Sequence, residues 1–184
     1  MSKTDLSKFN NNWYNPGRNM FTRVIWYYVN RIFFISYCPF NFIKIFFLKL
    51  FGAQVGYHVL IKPAVNIKYP WNLVIGNNVW IGENVWIDNL AKVSIGDNVC
   101  ISQGVMLLTG NHNYKKSGFD LIAEKIQLEE GVWIGAKAVV CPGVICKSHS
   151  VLSVGSVAVS ELEAFGIYQG NPAVKVRERV IATS

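Results

Sequence analysis

The sequence predicts an all-β solenoid, a parallel β-helix of about five triangular coils, and three features predict it. Aliphatic residues recur at Val55, Ile61, Ile67, Ile75, Ile81, Ile87, Ile95, Ile101, Leu107, Leu128, Ile134, Val140, Cys146 and Leu152, where only the cysteine departs from the rule. Four residues after most of these leaders stands a second small or β-branched residue, as at Val59, Val65, Val79, Val85, Val99 and Val105. The prevailing step of six belongs neither to an α-helix nor to a strand that alternates every second residue. It marks short strands wound into a coil, three to a turn. The third feature is where the period slips. Ile67 to Ile75 and Ile87 to Ile95 are steps of eight, and Leu107 to Leu128 is longer still. Each slip follows the third hexapeptide of a coil, so the slips stack along one edge of the prism, and that edge carries a long loop at residues 108–127.

Along the chain, residues 1–51 form an aromatic-rich N-terminal helical cap, 52–160 the hexapeptide β-helix with its inserted loop, and 161–184 a C-terminal extension. Residues 20–51 are dense in Phe, Tyr and Trp but are interrupted by Arg23, Arg31, Pro39, Lys44 and Lys49. No run there reaches the ~20 apolar residues that span a bilayer. A secretory leader fits poorly as well, because the apolar run starts late and lacks a small-residue cleavage site. Two short amphipathic helices broken near Pro39 are expected. They either cover the open end of the solenoid or make a peripheral membrane contact through aromatics interleaved with Arg and Lys.

Within the coils, Gly and Asn between the two inward positions are expected to supply the positive φ of the corners. The outward column of the first face reads Leu60, Trp80, Cys100, Trp133, Val151, and that of the second Asn66, Trp86, Met106, Val139, Val157. The third is expected to read Asn72, Lys92, His112, Ile145. Mostly apolar outward columns call for a covering surface, either the N-terminal helices or another copy. A homo-oligomer with His112 near a subunit boundary follows as an expectation.

The 184 residues are 51% hydrophobic, enough for a sizeable core. Cys38, Cys100, Cys141 and Cys146 show no paired spacing, which favours free thiols in a reducing, cytoplasmic setting. The net charge of +7 comes without any helix-turn-helix, zinc-finger or RNA-binding signature, so nucleic acid is not the expected partner. Small phosphorylated molecules and a plain solvated surface both account for it.

Of three histidines, His58 and His149 fall at corners four rungs apart, roughly 19 Å at ~4.8 Å per rung. They cannot share a metal within one chain, and nothing supplies a second ligand beside His112, so no metal is expected. His112 opens the long loop in TGNHNY, where an imidazole can take up and release a proton. Cys141, in VVCPG, is the other candidate nucleophile, but no histidine lies near it in sequence.

With its hexapeptides, TGNHNY at the loop mouth, VWIGAKAVVCPGV and a closing YQGNPAVKVR, the chain resembles the hexapeptide-repeat acyltransferases of the maltose and galactoside acetyltransferase type. The segment KYPWNLVIGNNVWIGENVWIDNLAKVSIG and the aromatic N-terminus look most like the colanic acid biosynthesis acetyltransferases. The resemblance implies a left-handed β-helix, an exception to the right-handed crossover rule, a homotrimer, and acetyl-CoA held in a groove between subunits. It also implies direct acetyl transfer to a sugar hydroxyl of an exopolysaccharide or its precursor. Transfer to an amino sugar nucleotide and a non-catalytic scaffold stay open as alternatives. By the same resemblance His112 is the general base. Trp133, Gly135, Ala136, Val154, Lys175 and Arg177 meet the cofactor, and Asp88, Asn89, Asn111 and Tyr114 the acceptor. Relatives often carry Asp after the histidine. Here it is Asn113, which leaves Asp120 or Glu124 to orient the base.

Overall fold

Strands of only two or three residues cannot persist alone, and here each is held by in-register parallel pairing to its counterpart about twenty residues on. The computed structural model describes residues 3–182, so the outermost residues of the two terminal regions, 1–2 and 183–184, lie outside the described residues. Three parallel sheets enclose the core. The first face stacks Leu60–Ile61, Trp80–Ile81, Cys100–Ile101, Trp133–Ile134 and Val151–Leu152. The second stacks Asn66–Ile67, Trp86–Asp88, Met106–Leu108, Val139–Val140 and Val157–Ala158. The third stacks Gln54–Val55, Leu73–Ile75, Val93–Ile95, Ile126–Leu128 and Ile145–Cys146. Five coils are complete. A partial sixth begins with Leu162 bridging Cys146 and with Gly166–Gly170 pairing Val151–Leu152, so the solenoid runs about one turn further than the hexapeptides indicate. The C-terminal extension closes it as a hairpin, Gly166–Gly170 against Ala173–Glu178.

The leaders and their partners form the core. Ile61, Ile67, Ile81, Ile87, Ile101, Leu107, Ile134 and Leu152 are all but sealed from water, each contributing about 1.5–3 kcal/mol by burial. Cys146 fits the same slot, and burial pushes its thiol pKa up to about 12. It is expected to resist iodoacetamide in the native protein at neutral pH and to react only on unfolding, as peptide mass spectrometry would read; rapid native labelling would mean that this coil opens.

Corner chemistry meets the expectation in part, since Asn78, Asn84, Asn98, Gly104, Gly131, Gly143 and Gly155 hold the positive φ between inward positions. The glycines after the leaders, 56, 76, 82, 96 and 135, do not adopt positive φ; a Cβ on any of them would lie within 3.0 Å of the backbone of the next coil. They permit close stacking. The left-handed residue comes two positions later and recurs once per coil on two edges. Between the third and first faces it is His58, Asn78, Asn98, Gly131 and His149. Between the first and second it is Ala64, Asn84, Gly104, Lys137 and Gly155. Side chains also stack there: Asn77 Oδ1 accepts from Tyr57 N at 2.9 Å and Asp97 Oδ1 from Asn77 N at 2.7 Å. On the edge between second and third faces only Gly143 repeats the pattern, and that edge holds the irregular steps. The steps also shift the third outward column, which reads Val74, Ser94, Gln127, Ile145. His112 therefore belongs to no face.

An open coil end presents unpaired N–H and C=O groups, and the N-terminal helices take them up. Helix α1 (Met20–Val29) continues as a π-helical stretch, Asn30–Ile35; the chain breaks around Pro39, and α2 spans Asn41–Leu50. Asn41 accepts from Ile61 N and donates to Val59 O, both at 2.8 Å. Trp26 Nε1 donates to Ile67 O at 2.9 Å. Asn30 accepts from Ile67 N at 3.4 Å. Lys44, fully buried, donates to the carbonyls of Ile61 and Lys62 at 3.1 and 3.0 Å. Burial lowers its pKa, so between that value and the usual lysine range the unfolded chain binds more protons and stability rises with pH. Residues 5–14 depart from the cap: they run along the long loop, where Asp5 N donates to Ser117 O at 2.8 Å and Tyr14 Oη to Leu90 O at 2.9 Å.

Candidate active site

The loop at 108–127 is not irregular. Gly110–His112 pairs antiparallel with Leu121–Ala123, a hairpin standing off the prism edge. It is rooted on the coil above, since Thr109 Oγ1 donates to Asp88 O at 2.8 Å and accepts from Ala91 N at 3.0 Å. His112 is held from both sides: its ring stacks on Phe119 with centroids 4.5 Å apart and planes 7° from parallel, and Phe9 packs at 5.9 Å. Its Nδ1 lies 2.9 Å from Phe119 O. A carbonyl only accepts, so Nδ1 carries the hydrogen, and in the neutral ring Nε2 keeps the lone pair. Phe119 holds φ at 53°, a region disfavoured for a bulky side chain, and its carbonyl is thereby aimed at the imidazole. The orienting group is therefore this carbonyl and neither Asp120 nor Glu124. Asp120 instead accepts from Asn10 N at 3.3 Å and from Lys116 Nζ at 3.5 Å.

A groove of 580 Å³ runs along the edge between the first and second faces. Trp133, Gly135, Ala136, Val154 and Arg177 line it together, joined by Ser102, Gln103 and Arg179. Trp133 is fixed by its Nε1 donating to Ser102 Oγ at 3.0 Å. Arg179 is fixed by the carbonyls of Gly131 and His149 at 2.8 and 3.2 Å. Through Ser102 and Gln103 the groove continues into a second concavity beside Leu60, Lys62, Trp80 and Glu83. One apolar-walled channel with guanidinium at one end suits a long ligand carrying anionic groups at one terminus.

Lys175 is a correction. A bulge at Ile167/Tyr168 turns it away from Arg177, and its ammonium pairs with Glu163 and Glu178 at 2.7 and 2.6 Å, so it does not line the groove. The hydrogen bond to Glu163, then that to Glu178, raises its pKa. Asn89 is a second correction: it is fully buried, and its carboxamide spans Tyr69, accepting from N at 2.9 Å and donating to O at 2.6 Å. An acceptor cannot reach it. Asp88 lies at the hairpin root, paired with Lys68 at 2.9 Å. Asn111 is exposed and accepts from His112 N at 2.8 Å, and Tyr114 is 74% exposed at the hairpin tip. The Cys141 thiol is half-buried and its pKa is raised by that burial, the opposite of an activated nucleophile. Among the described residues no three His, Cys, Asp or Glu side chains converge as a metal site.

No family model matches the chain. Among curated relatives, the putative colanic acid biosynthesis acetyltransferase WcaF of Escherichia coli is 36% identical over 137 residues, covering 74% of this chain and 75% of the relative. The chain belongs to the hexapeptide-repeat acetyltransferases. Galactoside O-acetyltransferase of Escherichia coli is 33% identical to this acetyltransferase over 135 residues, covering 71% and 66%. A solved galactoside acetyltransferase in complex with coenzyme A superimposes with a TM-score of 0.77 at 26% identity, covering 85% of this acetyltransferase and 80% of that chain. The left-handed parallel β-helix that the resemblance implies is the fold of this acetyltransferase.

Proposed function

We propose that this acetyltransferase moves an acetyl group from acetyl-CoA to a sugar hydroxyl, in the building of an exopolysaccharide, with His112 as general base. The observation that carries the reading is the bond from His112 Nδ1 to Phe119 O, which leaves Nε2 as the proton acceptor. Acetyl-CoA supplies the activated acyl group as a thioester. Trp133, Ala136 and Val154 offer apolar walls to its arm, and Arg177 and Arg179 donors to its phosphates. His112 Nε2 takes the proton of the acceptor hydroxyl as that oxygen attacks the thioester carbonyl; the C–S bond then breaks, the coenzyme A thiolate leaves and regains the proton from the imidazolium, which Phe119 O steadies meanwhile. The O-acetylating relative supports a hydroxyl acceptor.

His112 and the groove lie on different edges of the prism, separated by the width of the second face, on the order of 15–20 Å for six residues of extended chain. They meet only if His112 of one subunit faces the groove of another, which supports a homotrimer. The test is acetyl-CoA turnover against a panel of neutral sugars, sugar phosphates and amino sugars, with the mass measured by light scattering. Acetylated hydroxyl product from a trimeric species is expected; products acetylated solely on nitrogen, or a monomer active at full rate, would sink the reading.

The outer side of the cap supports a peripheral membrane contact as well. Among the described residues no helix is long and apolar enough to cross a membrane. Residues 6–82 hold eight Lys and Arg and no Asp or Glu, while the remainder carries ten cations against eleven acids. The same segment shows water Phe21 and Phe42, 73% and 71% exposed, with Ile25, Tyr28, Ile32, Phe46 and Leu50. Cation-flanked aromatics suit an anionic headgroup layer. Co-sedimentation with vesicles containing phosphatidylglycerol, weakened at least fivefold by high salt and by Phe21→Ser with Phe42→Ser, is expected; equal recovery with neutral vesicles would rule the contact out.

A further inference from the structure

A groove of 350 Å³ outside the channel described above lies between α1 with its π-helical extension and the second face. Arg23, Arg31, Lys68, Tyr69, Trp86 and Asp88 are among its walls. Its charge is unbalanced in a specific way. Asp88, the one carboxylate lining it, is taken by Lys68 at 2.9 Å. Arg23 and Arg31 have no carboxylate partner among the described residues, and Arg23 Nε is sealed from solvent without a hydrogen bond. Arg31 rests over the Tyr27 ring with its guanidinium carbon 5.3 Å from the centroid, a contact that holds the fork in place. Trp86, two residues before Asp88 on the same strand, presents a partly exposed indole to the groove.

The groove opens toward the His112 hairpin. Asp88 pairs in register with Leu108, its carbonyl accepts from Thr109, and a Cβ built on Gly110 would lie 3.8 Å from Asp88 Oδ2. His112 stands two positions beyond Gly110. Two unpaired guanidiniums, an aromatic platform and a carboxylate thus follow one another toward the proposed base.

We propose that this groove binds an acceptor whose sugar is joined to a phosphate or pyrophosphate, deepening the reading of the protein as a sugar acetyltransferase. Arg23 and Arg31 take the anionic oxygens, for which planar N–H forks are suited. Trp86 stacks against the C–H face of the sugar ring. The Asp88 carboxylate accepts hydrogen bonds from its hydroxyls, so the ring's far side is turned to the hairpin. Neither guanidinium has a carboxylate partner among the described residues, which favours charged acceptors over neutral ones.

The test pairs binding with turnover. Calorimetry with inorganic pyrophosphate and with hexose 1-phosphates, each beside its neutral methyl glycoside, is run on the full chain with saturating coenzyme A. The coenzyme removes binding at Arg177 and Arg179 from the measurement. The phosphates are expected to bind at least tenfold tighter than the glycosides. Arg31→Gln, at an exposed position, and Arg23→Gln each weaken them at least fivefold while Arg177→Gln does not, with unchanged melting temperatures for the variants compared. In turnover, Arg31→Gln raises KM for the phosphorylated acceptor and leaves KM for acetyl-CoA alone. Equal binding of phosphates and glycosides, or binding indifferent to Arg31→Gln, overturns the proposal even if acetyl transfer proceeds. Phosphate binding that depends on Arg23 and Arg31 without acetyl transfer to any acceptor upholds the groove and overturns the proposed activity.

Discussion

His112→Ala is expected to lower acetyl transfer by about 10²- to 10⁴-fold, the usual contribution of a positioned base, while coenzyme A binding is unchanged. The separation of effects follows from placement. His112 stands on the hairpin edge and does not line the groove of its own chain. The fall should therefore be in kcat, with KM for acetyl-CoA nearly constant. Placement also predicts complementation. Chains carrying His112→Ala and chains carrying Ala136→Trp, which fills the groove, are each expected to be inactive. Mixed and reassembled, they regain about a quarter of wild-type activity, because about one subunit boundary in four then joins an intact histidine to an intact groove. Mixtures as inactive as their parents would mean that one chain holds the whole site.

Removing residues 1–50 is expected to turn the protein into a self-associating species. Six backbone groups of the first coil point toward the cap: the carbonyls of Val59, Ile61, Lys62 and Ile67 and the N–H groups of Ile61 and Ile67. Uncovered, they form a sheet edge over an apolar interior, a template for another copy. Size-exclusion chromatography with light scattering reads the outcome, and a monodisperse, folded truncation would contradict it. Asn41→Ala is the milder version. It leaves one buried donor and one acceptor unpaired, at about 1–3 kcal/mol each, and the melting temperature should fall by several degrees.

The hexapeptide pattern carried the solenoid because burial and pairing both repeat with it: every leader from Ile61 to Leu152 is inside. The positions Gly135, Ala136 and Val154 came from the resemblance and not from the period, and the structure brings them together along one groove. What the period could not carry lay off the period. Phe119 O orients His112 through a hairpin whose strands are set by local pairing. Lys175 and Arg177 part at a bulge, a one-residue slip that alternation does not foresee. Asn89 has an acceptor-like side chain, yet a buried corner consumes both its ends. The glycines at 76, 82 and 96 were legible as constrained positions, but the constraint was room for the next backbone and not a positive φ.

The two edges with one left-handed residue per coil are locked in length, since an added residue there would put every later rung out of step. The third edge is free of that lock. It already holds corners of three lengths, and the chain re-enters register after the longest as cleanly as after the shortest. Such an edge is a place where a lineage can try new segments without renegotiating the scaffold. Lengthening the corner at 88–92 by a few residues should leave folding intact while the same insertion at 82–84 abolishes it, so novelty in these solenoids is confined to one seam.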